Sequence, residues 1–297
     1  MGGMIDDSTL SALHARLARA LAPAAMPLVP LAIGGSQAGW LTPERAARVV
    51  RFDRIFRMNS GSIEFVPGLA DERSRSAAMA EVARVLAEEG ALSPWRDERY
   101  AVAAAMDAAP WFLLERAAAR YFGVHTTAAH LNGLVASSRG TRMWLARRSP
   151  QKAIDPSLLD NLVGGGVAAG TDVARTVVKE AWEEAGIDAA LAMQAAPCGT
   201  VRIRRMQPDG LHWETIHVHD LWLPSSFVPA NQDGEAVDHR LVSLPGAARL
   251  AAQSEGADVV TADASLVILD CLLRQGAIPR AASARDRLEA LVRRDSG

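Results

Sequence analysis

The sequence predicts an α/β chain in two parts: a small α/β domain over residues 1–123, then a mixed-sheet domain over residues 124–297. Three observations carry that expectation. Apolar residues recur at helical spacing in several stretches. Runs of alternating polarity flank turn signals such as Asn59-Ser60-Gly61 and Pro208-Asp209-Gly210. From about Val124 the texture changes, and a glycine run, Gly164-Gly165-Gly166, leads into a carboxylate-bearing helix. A length of 297 residues suits two domains or one large one, at roughly 100–200 residues per domain.

The elements follow in order. Leu10, Leu13, Leu17 and Leu21 repeat at three and four, so residues 5–22 read as a helix. Residues 27–34 read as extended, ending in Gly34-Gly35. Thr42 caps a helix with Pro43 in its first turn. Phe52 to Val66 gives two short strands, Glu72 to Glu89 an amphipathic helix stopped by Gly90, and Tyr100 to Ala105 a strand. Leu113 to Tyr121 reads as a helix that Gly123 ends. In the second part, Thr126–Ala136 and Arg142–Arg148 are strands, and Leu159–Val167 is one short strand that dissolves into glycine. Thr171–Ala185 is the carboxylate helix. Thr200–Met206 and Trp213–Leu223 form a hairpin, Ala236–Leu244 is one more strand, and helices cover 244–255, 262–275 and 282–293.

Composition narrows the class. Apolar residues at 49% and charged residues at 22% are ordinary for a soluble globular protein with a sizeable core. A net charge of −2 gives no general pull toward nucleic acid. Two cysteines, Cys198 and Cys271, make no disulfide scaffold and imply reduced thiols in a cytoplasm. Residues 20–33 are apolar, but Pro23, Pro27 and Pro30 break them, so neither a membrane span nor a targeting signal is expected. Met1-Gly2-Gly3 resembles a myristoylation start, yet Asp6 stands where Ser or Thr is required. A cytoplasmic location is the expectation.

The functional signal is one constellation. Glu180, Glu183 and Glu184 stand at i, i+3 and i+4 and share a helical face. Like charges that close repel by a few tenths of a kcal/mol per exposed pair, and a hard dication such as Mg2+ offsets that cost. Carboxylate oxygens with substrate phosphates completing the shell are what magnesium prefers. The glycine run lets backbone N–H groups approach phosphate oxygens.

Gly165, five residues, Thr171, seven residues, then Lys179-Glu180-Ala181-Trp182-Glu183-Glu184-Ala185-Gly186-Ile187 resembles the Nudix box. The three glutamates, both glycines and the aliphatic end match in register. Two positions depart: Thr171 stands where the family usually has Glu, and Lys179 where it usually has Arg. These departures leave the metal face untouched and bear on the rigidity of the loop. The same two departures resemble the Nudix domain fused to thiamine pyrophosphokinase in fungi and its unfused relatives. So do His130-Leu131-Asn132-Gly133, Trp144-Leu145-Ala146-Arg147-Arg148, Leu159-Asp160-Asn161 and Asn231-Gln232-Asp233-Gly234-Glu235.

The resemblance implies an α/β/α sandwich and a magnesium-dependent diphosphatase, with Mn2+ as a substitute. It implies hydrolysis of a small thiamine-diphosphate-like or nucleoside-diphosphate-like compound to a monophosphate. Metal ligands would be Glu180, Glu183 and Glu184. The base is left open among Glu183, Glu184 and Glu235. Gly164, Gly165 and Gly166 would cradle phosphate, and Arg202 and Arg204, on one face of a predicted strand, would hold a phosphate tail. Two competing readings stay open: a Nudix-fold module that binds a phosphorylated ligand without turnover, and an isoprenoid diphosphate isomerase. The latter needs a cysteine acid ahead of the box, and none precedes residue 198. The N-terminal part would trim the pocket or mediate self-association as a homodimer. His130 and Asn132 are candidate substrate contacts, His217 and His219 a weak zinc pair, and Trp182 a core residue.

Overall fold

A computed structural model describes residues 4–92 and 94–294 of the chain. Met1-Gly2-Gly3 lies outside the described residues.

The first helix, α1 (Asp7–Ala20), starts where the Asp6 carboxylate accepts the Thr9 N–H at 2.7 Å. A four-stranded sheet follows, in the order β2-β1-β4-β3, from β1 (Val29–Ile33), β2 (Ser36–Leu41), β3 (Phe56–Asn59) and β4 (Ser62–Phe65). Between β2 and β3 lies α2 (Pro43–Val49), capped by Thr42 as the sequence indicates. Next come α3 (Glu72–Glu88) and a hairpin of β5 (Arg99–Val102) and β6 (Phe112–Glu115). Phe56, Phe65, Phe112 and Phe122 meet at the centre of this part, with tilted rings 5.1–6.4 Å apart.

The helix expected over 113–121 is instead the strand β6, a 3-10 turn (Arg116–Ala118) and a single helical turn, α4 (Ala119–Phe122). Phe112 and Leu114 are both buried while Leu113 between them is less so, which is strand alternation. Helical geometry begins only where the Glu115 side chain caps the Ala117 N–H. Gly123 ends it with φ +55.

The larger sheet runs β11-β12-β7-β8-β13. Its strands are β7 (His125–Val135), β8 (Arg142–Arg148), β9 (Leu159–Asn161), β10 (Val163–Gly166), β11 (Ala196–Gln207), β12 (Gly210–Trp222) and β13 (Ala236–Ser243). The sheet is mixed: β12 runs parallel to β7, while β10 and β8 pair antiparallel with it. The single strand expected over 159–167 divides in two, because β9 pairs with β8 and β10 with β7.

Helices cover both faces. On one, α5 (Val173–Ala185) and α6 (Ala189–Ala192) pack Val177, Ala181 and Ala192 against Ala129, Leu131 and Val163. On the other, α7 (Leu244–Ala252), α8 (Ala262–Arg274) and α9 (Arg285–Val292) cover Ala128, Val201, Ile203, Ile216 and Val218. This is the α/β/α sandwich expected. The helix α1 joins this second layer: its leucine stripe Leu10, Leu13, Leu17 and Leu21 is buried with Ala247, Ala251 and Leu266. Arg16 ties it there, bonding the Ala251 and Val260 carbonyls and the Ser265 hydroxyl. So α1 comes before residue 123, the boundary expected from the sequence, but packs on elements that follow it.

Trp182 is not a core residue. The buried stripe of α5 runs through Val177, Ala181, Glu184 and Ala185, and Trp182 lies about 100° round from Ala181, 52% exposed. Among the described residues no helix is long and apolar enough to cross a membrane.

Candidate active site

The glycine strand β10 is a partition. Successive residues of a strand face opposite sides. A side chain on Gly164 or Gly166 would point at His130 or at the Tyr100 hydroxyl, and both of those line a cavity. A side chain on Gly165 would point the other way, into Glu180 of α5, with its Cβ 2.4 Å from the carboxyl carbon. The run is glycine because both sides are occupied to backbone contact.

Helix α5 brings the carboxylates to this wall. Asp172 is its N-cap, accepting the Arg175 N–H at 2.8 Å. Gly186 closes it at φ +66, where a Cβ would stand 2.7 Å from the Ala230 carbonyl oxygen. Lys179 Nζ lies 3.0 Å from Glu180 Oε1 and 2.6 Å from Glu183 Oε2, so two carboxylate oxygens converge on one positive point. Burial raises the Glu180 carboxyl, and Lys179 opposes that.

Glu184 is buried directly behind the wall, where its Oε2 accepts the Gly164 N–H at 2.8 Å. Burial pushes its carboxyl up to about 8, against the pull of Lys152 and of the Gly164 N–H. Lys152 Nζ stands 3.9 Å from Glu184 Oε1 and bonds directly to the Glu235 carboxylate. Burial would raise Glu235 too, but that Lys152 bond holds it below the usual carboxylate range.

The Glu235 loop is anchored to α5. Gln232 N–H and Asn231 Nδ2 both donate to the Glu183 carbonyl, at 2.7 and 3.2 Å. Asn231 and Asp233 then accept the Gly234 and Glu235 N–H groups in side-chain-closed turns. A motif that the sequence separates by fifty residues is thus tied to the end of the carboxylate helix.

The cavity lies between the two parts of the chain. Gly164, Gly165, Gly166, Lys152, Arg148 and Glu235 form one side, and Arg96, Tyr100, Arg116 and Arg120 of the N-terminal part form another. Glu180, Glu183 and Glu184 are not among the lining residues, but Glu184 lies 3.9 Å from Lys152, which is. Arg202 and Arg204 are not brought to it either. Arg202 is exposed, and the Arg204 guanidinium stacks over Trp40 and Trp213, 5.5 and 5.9 Å from their ring centroids. The arginine of this strand that turns toward the cavity wall is Arg205, paired with Asp263 at 3.0 Å.

His130 lines the cavity and its Nδ1 bonds the Asn161 side chain at 2.8 Å. Asn132 is fully buried between Asp220 and Asn161, which is structural packing. His219 Nδ1 meets the His217 carbonyl, and among the described residues these two histidines gather no third ligand. A cluster that sequence reasoning missed, His212, Glu214 and Asp263, lies on the cavity wall with candidate ligand atoms within 4.8 Å of one another. The one available signal was His-x-Glu at the start of the strand predicted from Trp213; Asp263 arrives from α8.

Do the carboxylates of α5 suit a hard dication? The oxygens of Glu180 and Glu183 already share one cation, the Lys179 ammonium, whose side chain is 61% exposed and free to swing away. An all-oxygen set of this kind fits magnesium.

Residues 130–263 match the NUDIX domain family, and residues 13–126 match a domain of unknown function, DUF4743. The chain is 36% identical over 228 residues to Nudix hydrolase 20, chloroplastic, of Arabidopsis thaliana, covering 76% of this chain and 60% of that protein. It is 35% identical over 229 residues to Nudix hydrolase 24, chloroplastic, of the same plant, covering 76% and 62%. The chain therefore spans about three-fifths of the length of these curated relatives. Among solved structures, DR0079 from Deinococcus radiodurans is 23% identical with a TM-score of 0.42, covering 57% of this chain and 97% of that one. Residues 130–263 of this chain are thus similar to the NUDIX domain family.

Proposed function

We propose that this protein is a Nudix hydrolase that uses a divalent metal to cleave a diphosphate linkage in a small organic diphosphate, releasing a monophosphate. The observation that carries the reading is the convergence of Glu180 and Glu183 on one cation behind a side-chain-free wall. Both curated relatives are named Nudix hydrolases, which supports it.

Glu180, Glu183 and Glu184 are the residues that would hold magnesium, or manganese in its place. When bound, the metal would supply charge neutralisation for the diphosphate and acidify a coordinated water. The chain does the rest. The backbone of Gly164, Gly165 and Gly166 admits phosphate oxygens to close range. Arg96, Arg116 and Lys152 set positive charge around the cavity, where a diphosphate is attracted. Glu235 lines the cavity and Glu184 does not, so Glu235 is the base candidate that reaches a water in the cavity. Attack in line at phosphorus then expels the monophosphate. The substrate class remains a thiamine-diphosphate-like or nucleoside-diphosphate-like compound, with the resemblance of the box favouring the former.

The test is a panel of small diphosphates with Mg2+ or Mn2+, including thiamine diphosphate and its oxidised forms, read by mass spectrometry. Monophosphate release is expected, with Glu183→Gln slower by several orders of magnitude and still folded. No product from any diphosphate would leave a binding module instead. Unchanged rates in Glu235→Gln would move the base to α5.

A further inference from the structure

The wall of the cavity opposite α5 carries groups that the diphosphatase chemistry does not use. His212 and Glu214 share one face of β12, two residues apart, and Asp263 reaches them from the first turn of α8. His212 is 3% exposed. Its Nε2 lies 3.2 Å from Glu214 Oε2. Two acceptors do not face each other at that distance, so Nε2 carries the hydrogen and donates it. Glu214 is fixed in turn by the Thr126 hydroxyl, at 2.9 Å from its other oxygen.

In a neutral imidazole, the form that binds a metal, that hydrogen leaves the lone pair on Nδ1. Among the described residues this buried atom has no hydrogen-bond partner. It faces Asp263 Oδ2 at 3.7 Å, which is too long for a hydrogen bond. Asp263 is held by its other oxygen, Oδ1, which accepts from Arg205 at 3.0 Å. Nδ1 and Oδ2 thus flank one gap, and each side chain is held from its other side by a bonded partner.

We infer that His212 Nδ1 and Asp263 Oδ2 are ligands of a second cation site, for a transition-metal dication of the Zn2+ type, open to the cavity. Three features support it. A metal-bound imidazole characteristically gives its other N–H to a carboxylate, which is the place of Glu214. An ion about 2.1 Å from both ligand atoms would see them, across that gap, at roughly 120°, within the tetrahedral-to-trigonal range. A neutral imidazole with a carboxylate is a donor set for zinc, whereas magnesium takes oxygen alone. The remaining positions open on the cavity, where water or a substrate oxygen would complete the shell. Nearby charges are compatible: Arg205 is paired with Asp263 and Arg120 with Asp209, while Asp155 stands close enough for its carboxyl to feel Asp263. The site lies across β10 from Glu180 and stands whether or not the diphosphatase reading survives.

The experiment uses the full chain carrying Glu180→Gln and Glu183→Gln, which silences the acidic face of α5. Titration calorimetry with zinc chloride is expected to show one ion bound per chain. Adding His212→Asn or Asp263→Asn should abolish that uptake, and adding Glu214→Gln should weaken it by about 10–100-fold. Absence of zinc uptake, or uptake unchanged by His212→Asn and Asp263→Asn, overturns the site. Circular dichroism without metal checks that the variants fold. Cobalt absorption on the Glu180→Gln, Glu183→Gln chain gives an answer that needs no further substitution. Intense visible bands from a low-coordinate nitrogen–oxygen site support the assignment. The weak bands of six-coordinate oxygen ligation overturn it.

Discussion

The Glu180 side chain occupies the space that a side chain on Gly165 would need: a Cβ there would lie 2.4 Å from the Glu180 carboxyl carbon and 2.8 Å from its Oε1. The obstacle is the far end of a flexible side chain, so the backbone can keep its place while the carboxylate is pushed aside. Gly165→Ala should therefore lose at least 100-fold in kcat/KM with little change in Tm, since a carboxylate displaced by about an ångström no longer meets its cation. Steady-state kinetics beside thermal melts decide it, and a fall in Tm with kcat/KM intact would show that the wall matters only for folding.

The next glycine couples the two parts of the chain. A Cβ on Gly166 would stand 2.0 Å from the Tyr100 hydroxyl of β5, and the Ala169 N–H donates to the Arg99 carbonyl at 2.7 Å. Gly166→Ala should destabilise the protein, and Tyr100→Ala should relieve part of that loss. A double-mutant cycle by urea unfolding should give a coupling energy of about 0.5–3 kcal/mol. Strict additivity would mean that β5 and β10 do not bear on each other.

Lys152 and Lys179 each bridge two carboxylates but should differ in consequence. Lys152 is 14% exposed and Lys179 61%. Removing a partner from a buried pair typically costs about 3–5 kcal/mol, because the remaining charge is stranded. A pair open to solvent contributes about 0.2–1 kcal/mol. Above about pH 8, where Glu184 is ionised, Lys152→Ala should accordingly lower stability several-fold more than Lys179→Ala in metal-free urea unfolding. Equal effects would show that Glu184 keeps its proton when Lys152 is gone.

Glu184 should leave a signature in pH. Its carboxyl is raised from 4.5 in the unfolded chain to about 8 in the folded one, chiefly by burial. Between those values the folded protein binds the proton that the unfolded chain releases. Its contribution to stability is thus present in full below about pH 4.5 and lost as pH rises through 8. In metal-free buffer, stability should fall over that window more steeply in the wild type than in Glu184→Gln. Parallel curves would place the titration elsewhere.

Much of this was legible before any coordinates. The period of the leucines gave α1, the turn signals gave the hairpins, and the spacing of Gly165, the glutamates and Gly186 gave the loop–helix unit, because those patterns are local. The pattern misled where local propensity met a distant partner. Residues 113–115 look helical with 116–121 but pair with β5, and Trp182 looks apolar enough for a core that α5 turns away from. The arginines of β11 show the same limit: alternation grouped Arg202 with Arg204, yet only packing against α8 reveals that Arg205 faces the cavity wall.

The sequence by itself determined the acidic helix, the glycine wall and the resemblance to the Nudix box, since each is written in a contiguous stretch whose spacing is its geometry. Tertiary structure alone decided that Tyr100 and Arg116 close the cavity, that Glu235 is tied to the end of α5, and that Asp263 meets His212. Those meetings join residues far apart in the chain, and only burial of the shared cores brings them within bonding range.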